Sequence, residues 1–135
     1  ALVRRFVIAK EEGAPEVTCW GTGEAVRECL FVRDAAQGVI LATERYESLE
    51  PMNIGPGIST AIKELAEIIK KHVGYTGRIV WDTSKPNGAM NKTFDVTKMK
   101  RELNWTSPTN LDQGLAETIA WVEANYESVI HTRTP

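Results

Sequence analysis

Apolar positions recur along the chain with two periods, and each period predicts its own kind of element. Leu2, Phe6 and Ala9, with Val3 alongside, keep the spacing of one helical face and predict a helix over 2–12. No Met and no Ser, Thr, Asp or Asn cap precedes it, so the chain starts inside this pattern, as a piece of a longer polypeptide would. Gly13 and Pro15 break the helix, residues 16–20 (EVTCW) read as a strand, and residues 27–32 (RECLFV) read as the next. Asp34 is placed to cap a helix through Tyr46, with Ala35, Val39 and Ala42 as its apolar stripe. Residues 51–55 then read as a short buried strand, and the Gly-Pro-Gly at 55–57 as a tight loop.

The clearest helix follows, capped by Ser59 or Thr60. It buries Ile62, Leu65, Ala66, Ile69 and Val73, and Gly74 stops it. Residues 78–82 (RIVWD) predict a strand, and 83–95 a loop dominated by Pro86, Asn87 and Gly88. A short helix runs from an Asp95 cap to about Leu103. A last helix starts near Thr109, with Thr109 and Asp112 as a capping box and Leu115, Ile119 and Val122 turned inward. Short strands separated by about five helices make this α/β, α+β-like: one small mixed domain over 1–135. The strands are too few for a complete doubly wound nucleotide fold, and no G-x-G-x-x-G follows the first of them.

Composition narrows the function classes. With 42% hydrophobic and 25% charged residues the chain is an ordinary globular domain. A net charge of -2 gives no general attraction to nucleic acid or to an anionic membrane, so an anion site has to be local. No apolar run approaches the roughly 18 residues of a membrane span. Cys19 and Cys29 lack metal-ligand spacing and read as reduced thiols, Cys19 as a small buried hydrophobe, in a cytoplasmic protein. His72 and His131 sit at a helix end and in a C-terminal tail, neither beside a nucleophile. Lys63, Glu64 and Glu67 form a solvated helix face, and no catalytic residue or metal set emerges.

Three cations stand out by position. Arg5 projects from the first helix, Arg27 follows the Trp-Gly-Thr-Gly turn, and Lys92 sits in the Pro-Asn-Gly loop just before the expected helix cap. Singly, each reads as a solvated surface charge, and Trp20 as a hydrophobic plug at a strand end. Converging on one pocket, they would suit a diphosphate ester, which takes fork-shaped guanidinium donors and a mobile ammonium. Trp20 would offer an aromatic face, with Gly21 and Gly23 giving close backbone access.

These segments resemble the C-terminal part of GDP-L-fucose synthases, which are extended short-chain dehydrogenase/reductases. The resemblance rests on RRF (4–6), APEVTCWGTG (14–23), RECLFVRDAA (27–36), NIGPG (53–57), IKELAEIIKKHVGYTGRIVWDTSKPNG (62–88) and FDVTKMK (94–100). It implies a GDP-sugar as partner, held by Arg5, Trp20, Arg27 and Lys92. It also implies that NADPH, the Ser-Tyr-Lys set and the Cys and His acid/base residues of the family belong before residue 1. This chain would then hold no cofactor and would not be catalytic alone. The chain departs from the family at Met90 and Asn91, where one cation is lost, and at Cys29 and Arg33, where Phe and an acidic residue are usual. The lost cation would weaken phosphate binding by about 1.5–3 kcal/mol if it normally touches phosphate. Two other expectations stand beside nucleotide-sugar binding: an interaction module that self-associates as a homo-oligomer or docks on a separate cofactor-domain chain, and a relic fold without ligand.

Overall fold

Residues 1–131 are described by a computed structural model. In chain order the elements are α1 (Leu2–Glu11), β1 (Glu16–Trp20), β2 (Val26–Glu28), α2 (Val32–Arg45), β3 (Ser59–Ala61), α3 (Ile62–Val73), β4 (Arg78–Asp82), β5 (Asn91–Lys92), α4 (Thr97–Leu103), α5 (Leu111–Ala124) and α6 (Tyr126–His131). This is a mixed α/β arrangement, as expected. β1 alternates buried Val17 and Cys19 with outward Thr18 and Trp20, the period of a strand with one face on a core. It pairs in parallel with β4, Glu16 opposite Arg78 and Trp20 opposite Asp82. A second small sheet has the order β3-β2-β5, antiparallel on one side of β2 and parallel on the other.

Two apolar cores result. The larger joins Phe6, Val7 and Ala9 of α1 to Val17 and Cys19, to Leu65, Ala66, Ile69 and Val73 of α3, and to Ile119 and Val122 of α5. Burial of each large apolar side chain there contributes about 1.5–3 kcal/mol. The smaller core gathers Leu41, Ala42, Met52, Ile54 and Trp105 around Val96, Met99 and Leu103.

Several expectations are corrected. The second strand covers only Val26–Glu28, and its apolar continuation turns into α2, which starts at Val32. Asp34 lies inside the first turn of that helix and does not cap it. Val39 is 56% exposed, and the buried positions are Asp34 and Gly38. Residues 51–55 stay extended without a ladder: Met52 and Ile54 pack on the smaller core, but no strand pairs with them among the described residues. Ser59 and Thr60 pair with β2 instead of capping α3. The first N–H groups of α3 are met by backbone instead, Ile62 donating to the Ala25 carbonyl at 2.9 Å and Lys63 to that of Gly23 at 2.8 Å.

Asn110 and Gln113 form the capping box of α5, one position later than expected. Asn91–Lys92 is a strand rather than loop, and α6 makes six helices among the described residues where about five were expected. His131 closes α6 and so does not lie in a tail. Among the described residues no helix is long and apolar enough to cross a membrane.

Candidate functional site

Everything that orients the cations starts at the turn after β1. Gly21 and Gly23 both take positive φ, 76° and 74°, which a side chain resists. Their faces are filled by protein: a Cβ on Gly21 would strike the Asn87 side chain, and one on Gly23 would lie 2.6 Å from Cη2 of Trp81. The glycines therefore serve close packing, and the ligand access expected of them is taken up by Asn87 and Trp81. The turn is clamped from three sides. Asn87 Oδ1 accepts from the Thr22 N–H at 2.7 Å and hydroxyl at 3.1 Å, Gly21 N–H donates to the Asp82 carbonyl at 2.9 Å, and the Gly23 carbonyl caps α3.

Held this way, β2 presents Arg27 and Glu28 to opposite faces. Arg27 lies in register with Lys92 of β5 and Thr60 of β3, so guanidinium and ammonium start side by side. Arg27 is half-buried, bonds the Val26 carbonyl through Nη1 at 2.6 Å, and has Nη2 beside Gly88. The Glu28 carboxylate accepts from the Phe94 N–H at 2.7 Å and the Gly57 N–H at 3.1 Å, fixing the loops around β2. Trp20 ends β1 with its ring 62% exposed, and the Lys85 ammonium stands 6.0 Å from its centroid. Arg5 donates to the Thr18 carbonyl at 2.6 Å, two residues before Trp20.

The structure thus brings Arg27 and Lys92 together, and the segment between β4 and β5 links them to Trp20. Arg5 is turned onto the β1 backbone. Arg5, Trp20 and Lys92 are exposed and Arg27 is half-buried, whereas hollows form elsewhere. One of about 230 Å³ is lined by Cys29, Phe31, Leu111 and Leu115, and one of about 390 Å³ lies between Phe31, Val32 and Trp121. No carboxylate lies within 4.0 Å of Arg5, Arg27, Lys85 or Lys92 among the described residues. Like charges directly opposite in a sheet repel, so the Arg27–Lys92 pair gains from an anion between its members. Asn87 and Lys85 escaped the sequence reading as site-building residues, and the only signal for them was the Lys-Pro-Asn-Gly string itself.

Other candidate chemistry resolves structurally. Both cysteines are free thiols, and burial raises the pKa of each. At Cys19 Arg5 opposes that rise by its charge and a hydrogen bond without cancelling it. His72 pairs with Asp112 at 2.8 Å, and Arg33, unusual by the resemblance, is neutralised by Glu117 at 2.9 Å. No group of three His, Cys, Asp or Glu among the described residues is arranged to hold a metal. A nicotinamide dinucleotide does not fit the Gly21-Thr22-Gly23 turn after β1, because β2 and not a helix N-terminus follows it and both glycine faces are occupied.

A family model described as the NAD dependent epimerase/dehydratase family matches residues 1–55. The chain corresponds to part of a protein of this class, the extended short-chain dehydrogenase/reductases. Within it, the stretch is similar to GDP-L-fucose synthases. It is 46% identical over 125 residues to the probable GDP-L-fucose synthase 1 of Oryza sativa subsp. japonica, covering 93% of this chain and 38% of that protein. It is 43% identical to the GDP-L-fucose synthase of Escherichia coli (strain K12), covering 94% and 42%. A crystal structure of a GDP-L-fucose synthetase from Naegleria fowleri bound to NADP superposes with a TM-score of 0.88 at 29% identity, over 94% of this chain and 40% of that one. The chain therefore spans about two fifths of the length of the relatives it matches.

Proposed function

We propose that this chain binds the nucleoside diphosphate part of a GDP-sugar on the surface formed by Trp20, Arg27 and Lys92, with Arg5 at its edge. The observation that carries the reading is the register pair Arg27–Lys92, two cations side by side with no carboxylate within 4.0 Å of either among the described residues, on a chain whose net charge is -2. A diphosphate supplies the missing negative charge in a form that a guanidinium fork recognises. The exposed indole offers a base or sugar a face to pack on. Similarity to GDP-L-fucose synthases names GDP as the nucleotide to try first.

The chain contributes binding and orientation. Hydride transfer is assigned to a nicotinamide cofactor, for which these residues build no cradle, so no reaction step is assigned to this chain. Titration calorimetry with GDP and GDP-mannose tests the reading. Binding is expected, with a raised melting temperature, and Arg27→Ala is expected to weaken it at least tenfold, the worth of a charged hydrogen bond. No binding at millimolar ligand would overturn it.

A second reading, association, is supported by a different surface. Val32, Val39 and Ile40 of α2 and Trp121 of α5 are each more than half exposed, and a hollow separates Val32 from Trp121. Large exposed apolar patches of this kind mark interaction surfaces. The occupant it commits to is a separately encoded chain that carries a cofactor-binding domain. A clean monomer by light scattering, alone and with a full-length GDP-L-fucose synthase present, would remove this reading.

A further inference from the structure

We infer that Lys85 is a further phosphate-binding residue of this surface, stored on the Trp20 indole until an aromatic base takes its place. The inference rests on the nucleotide reading and adds a residue that the reading does not contain. Residues 83–90 connect β4 to β5 and pass each part of the surface in turn. Lys85 stands over Trp20, Asn87 holds the Thr22 backbone, and Gly88 lies beside Arg27 Nη2.

A local turn sets the direction of Lys85. Its N–H donates to the Asp82 carbonyl at 3.2 Å, and Asp82 is the ladder partner of Trp20, so the side chain leaves the backbone next to the indole. The Asp82 carboxylate, nearest along the sequence, is engaged by the Ser84 N–H at 3.0 Å and hydroxyl at 2.5 Å. It is folded into its own turn and forms no ion pair with Lys85. With no other carboxylate within 4.0 Å among the described residues, the ring face is what holds the ammonium.

An exposed cation–π contact is a weaker hold than a charged hydrogen bond to phosphate. A base stacking on Trp20 and a diphosphate at Arg27 and Lys92 would therefore draw the flexible Lys85 side chain off the ring and onto the ligand. This supplies a third cation on a surface where Met90 and Asn91 carry none.

Calorimetry of the 135-residue chain with GDP and, separately, with inorganic pyrophosphate tests this on wild type, Lys85→Gln, Lys85→Arg and Arg27→Ala, each first shown to melt like wild type without ligand. Lys85→Gln is expected to weaken GDP about tenfold and pyrophosphate, which brings no base to the indole, by less than about threefold, while Lys85→Arg keeps GDP within about threefold of wild type. GDP is also expected to change the tryptophan emission of wild type and not that of Trp20→Phe. Should Lys85→Gln bind GDP as tightly as wild type or more tightly while Arg27→Ala is weakened, Lys85 is only a cover on the indole and this inference alone fails. Equal wild-type affinity for pyrophosphate and GDP would overturn the displacement by a base. Wild type binding neither ligand overturns the nucleotide reading and the Lys85 role together.

Discussion

Gly23→Ala is expected to lower the unfolding midpoint by about 6–20 °C, although it adds one methyl group. Two costs combine. At a φ of 74° a Cβ meets the backbone penalty of the left-handed region, about 1–2 kcal/mol. The same Cβ would sit 2.6 Å from the Trp81 ring, and relieving that overlap costs about 1–3 kcal/mol. Trp81 cannot retreat freely, because its strand is laddered to β1 and its ring packs against the larger core. The total, about 2–5 kcal/mol, converts to the stated shift for a domain of this size. Gly13→Ala is the control, since Gly13 shares the positive φ at 63° but has nothing within 4 Å of the added atom. A Gly23→Ala midpoint no lower than that of Gly13→Ala would show that Trp81 does not constrain the turn. The same clash would shift β2, so ligand affinity is expected to fall along with stability.

Asp34→Ala is expected to cost about 3–4 kcal/mol at neutral pH. Asp34 is 4% exposed and its carboxylate accepts from Ser107 Oγ at 2.5 Å, Thr109 N at 2.9 Å and Thr109 Oγ1 at 2.9 Å. It ties the first turn of α2, which feeds the smaller core, to the segment leading into α5, which feeds the larger one. Each bond to a charged acceptor is worth about 1.5–3 kcal/mol singly, and the three are not additive; truncation leaves partly buried donors without an acceptor. Burial alone would raise the Asp34 pKa, but the Ser107 hydroxyl and then the Thr109 N–H and hydroxyl more than offset it, leaving the folded value below the usual carboxylate range.

The sign for stability follows from that depression. The contribution of Asp34 is complete above the unfolded carboxylate pKa of about 4 and is lost as the pH falls through the lower folded value. Urea denaturation of wild type and Asp34→Ala from pH 7 down to pH 3 should show a gap that is constant above about pH 5 and narrows below pH 4. A gap independent of pH would mean that the ionised form is not what the junction needs.

Legibility from sequence followed the range of the interactions. β1, β4 and the buried stripe of α3 were readable because local alternation or helical spacing decides them, and Gly74 ends α3 as its position promised. Long-range partners decided what was misread. Ser59 and Thr60 look like caps until β2 claims them, Val39 looks buried until α2 turns Gly38 inward, and residues 91–92 look like loop until Val26 and Arg27 pair with them. Residues 51–55 failed the other way, having strand composition without a neighbouring strand. At the site, position along the chain singled out Arg5, Arg27 and Lys92, and the family resemblance joined them with Trp20 as the expected ligand contacts. The adjacency of Arg27 and Lys92 comes from a parallel register that no local pattern encodes, and the place of Lys85 comes from a turn built on the Asp82 carbonyl.

The parallel pairing of β1 with β4 also sets an order on how the chain acquires its shape. Residues 20 and 82 must meet before that ladder forms, and closing a span of about 60 residues costs on the order of 4 kcal/mol in chain entropy. The ladder's own bonds form only once that expense has been met, so α1 and α3, whose bonds are local, supply the apolar surface on which the ends are first held. The turn after β1 hangs on that ladder through the Gly21 N–H, which reaches the Asp82 carbonyl, so its shape depends on a pairing made across the chain.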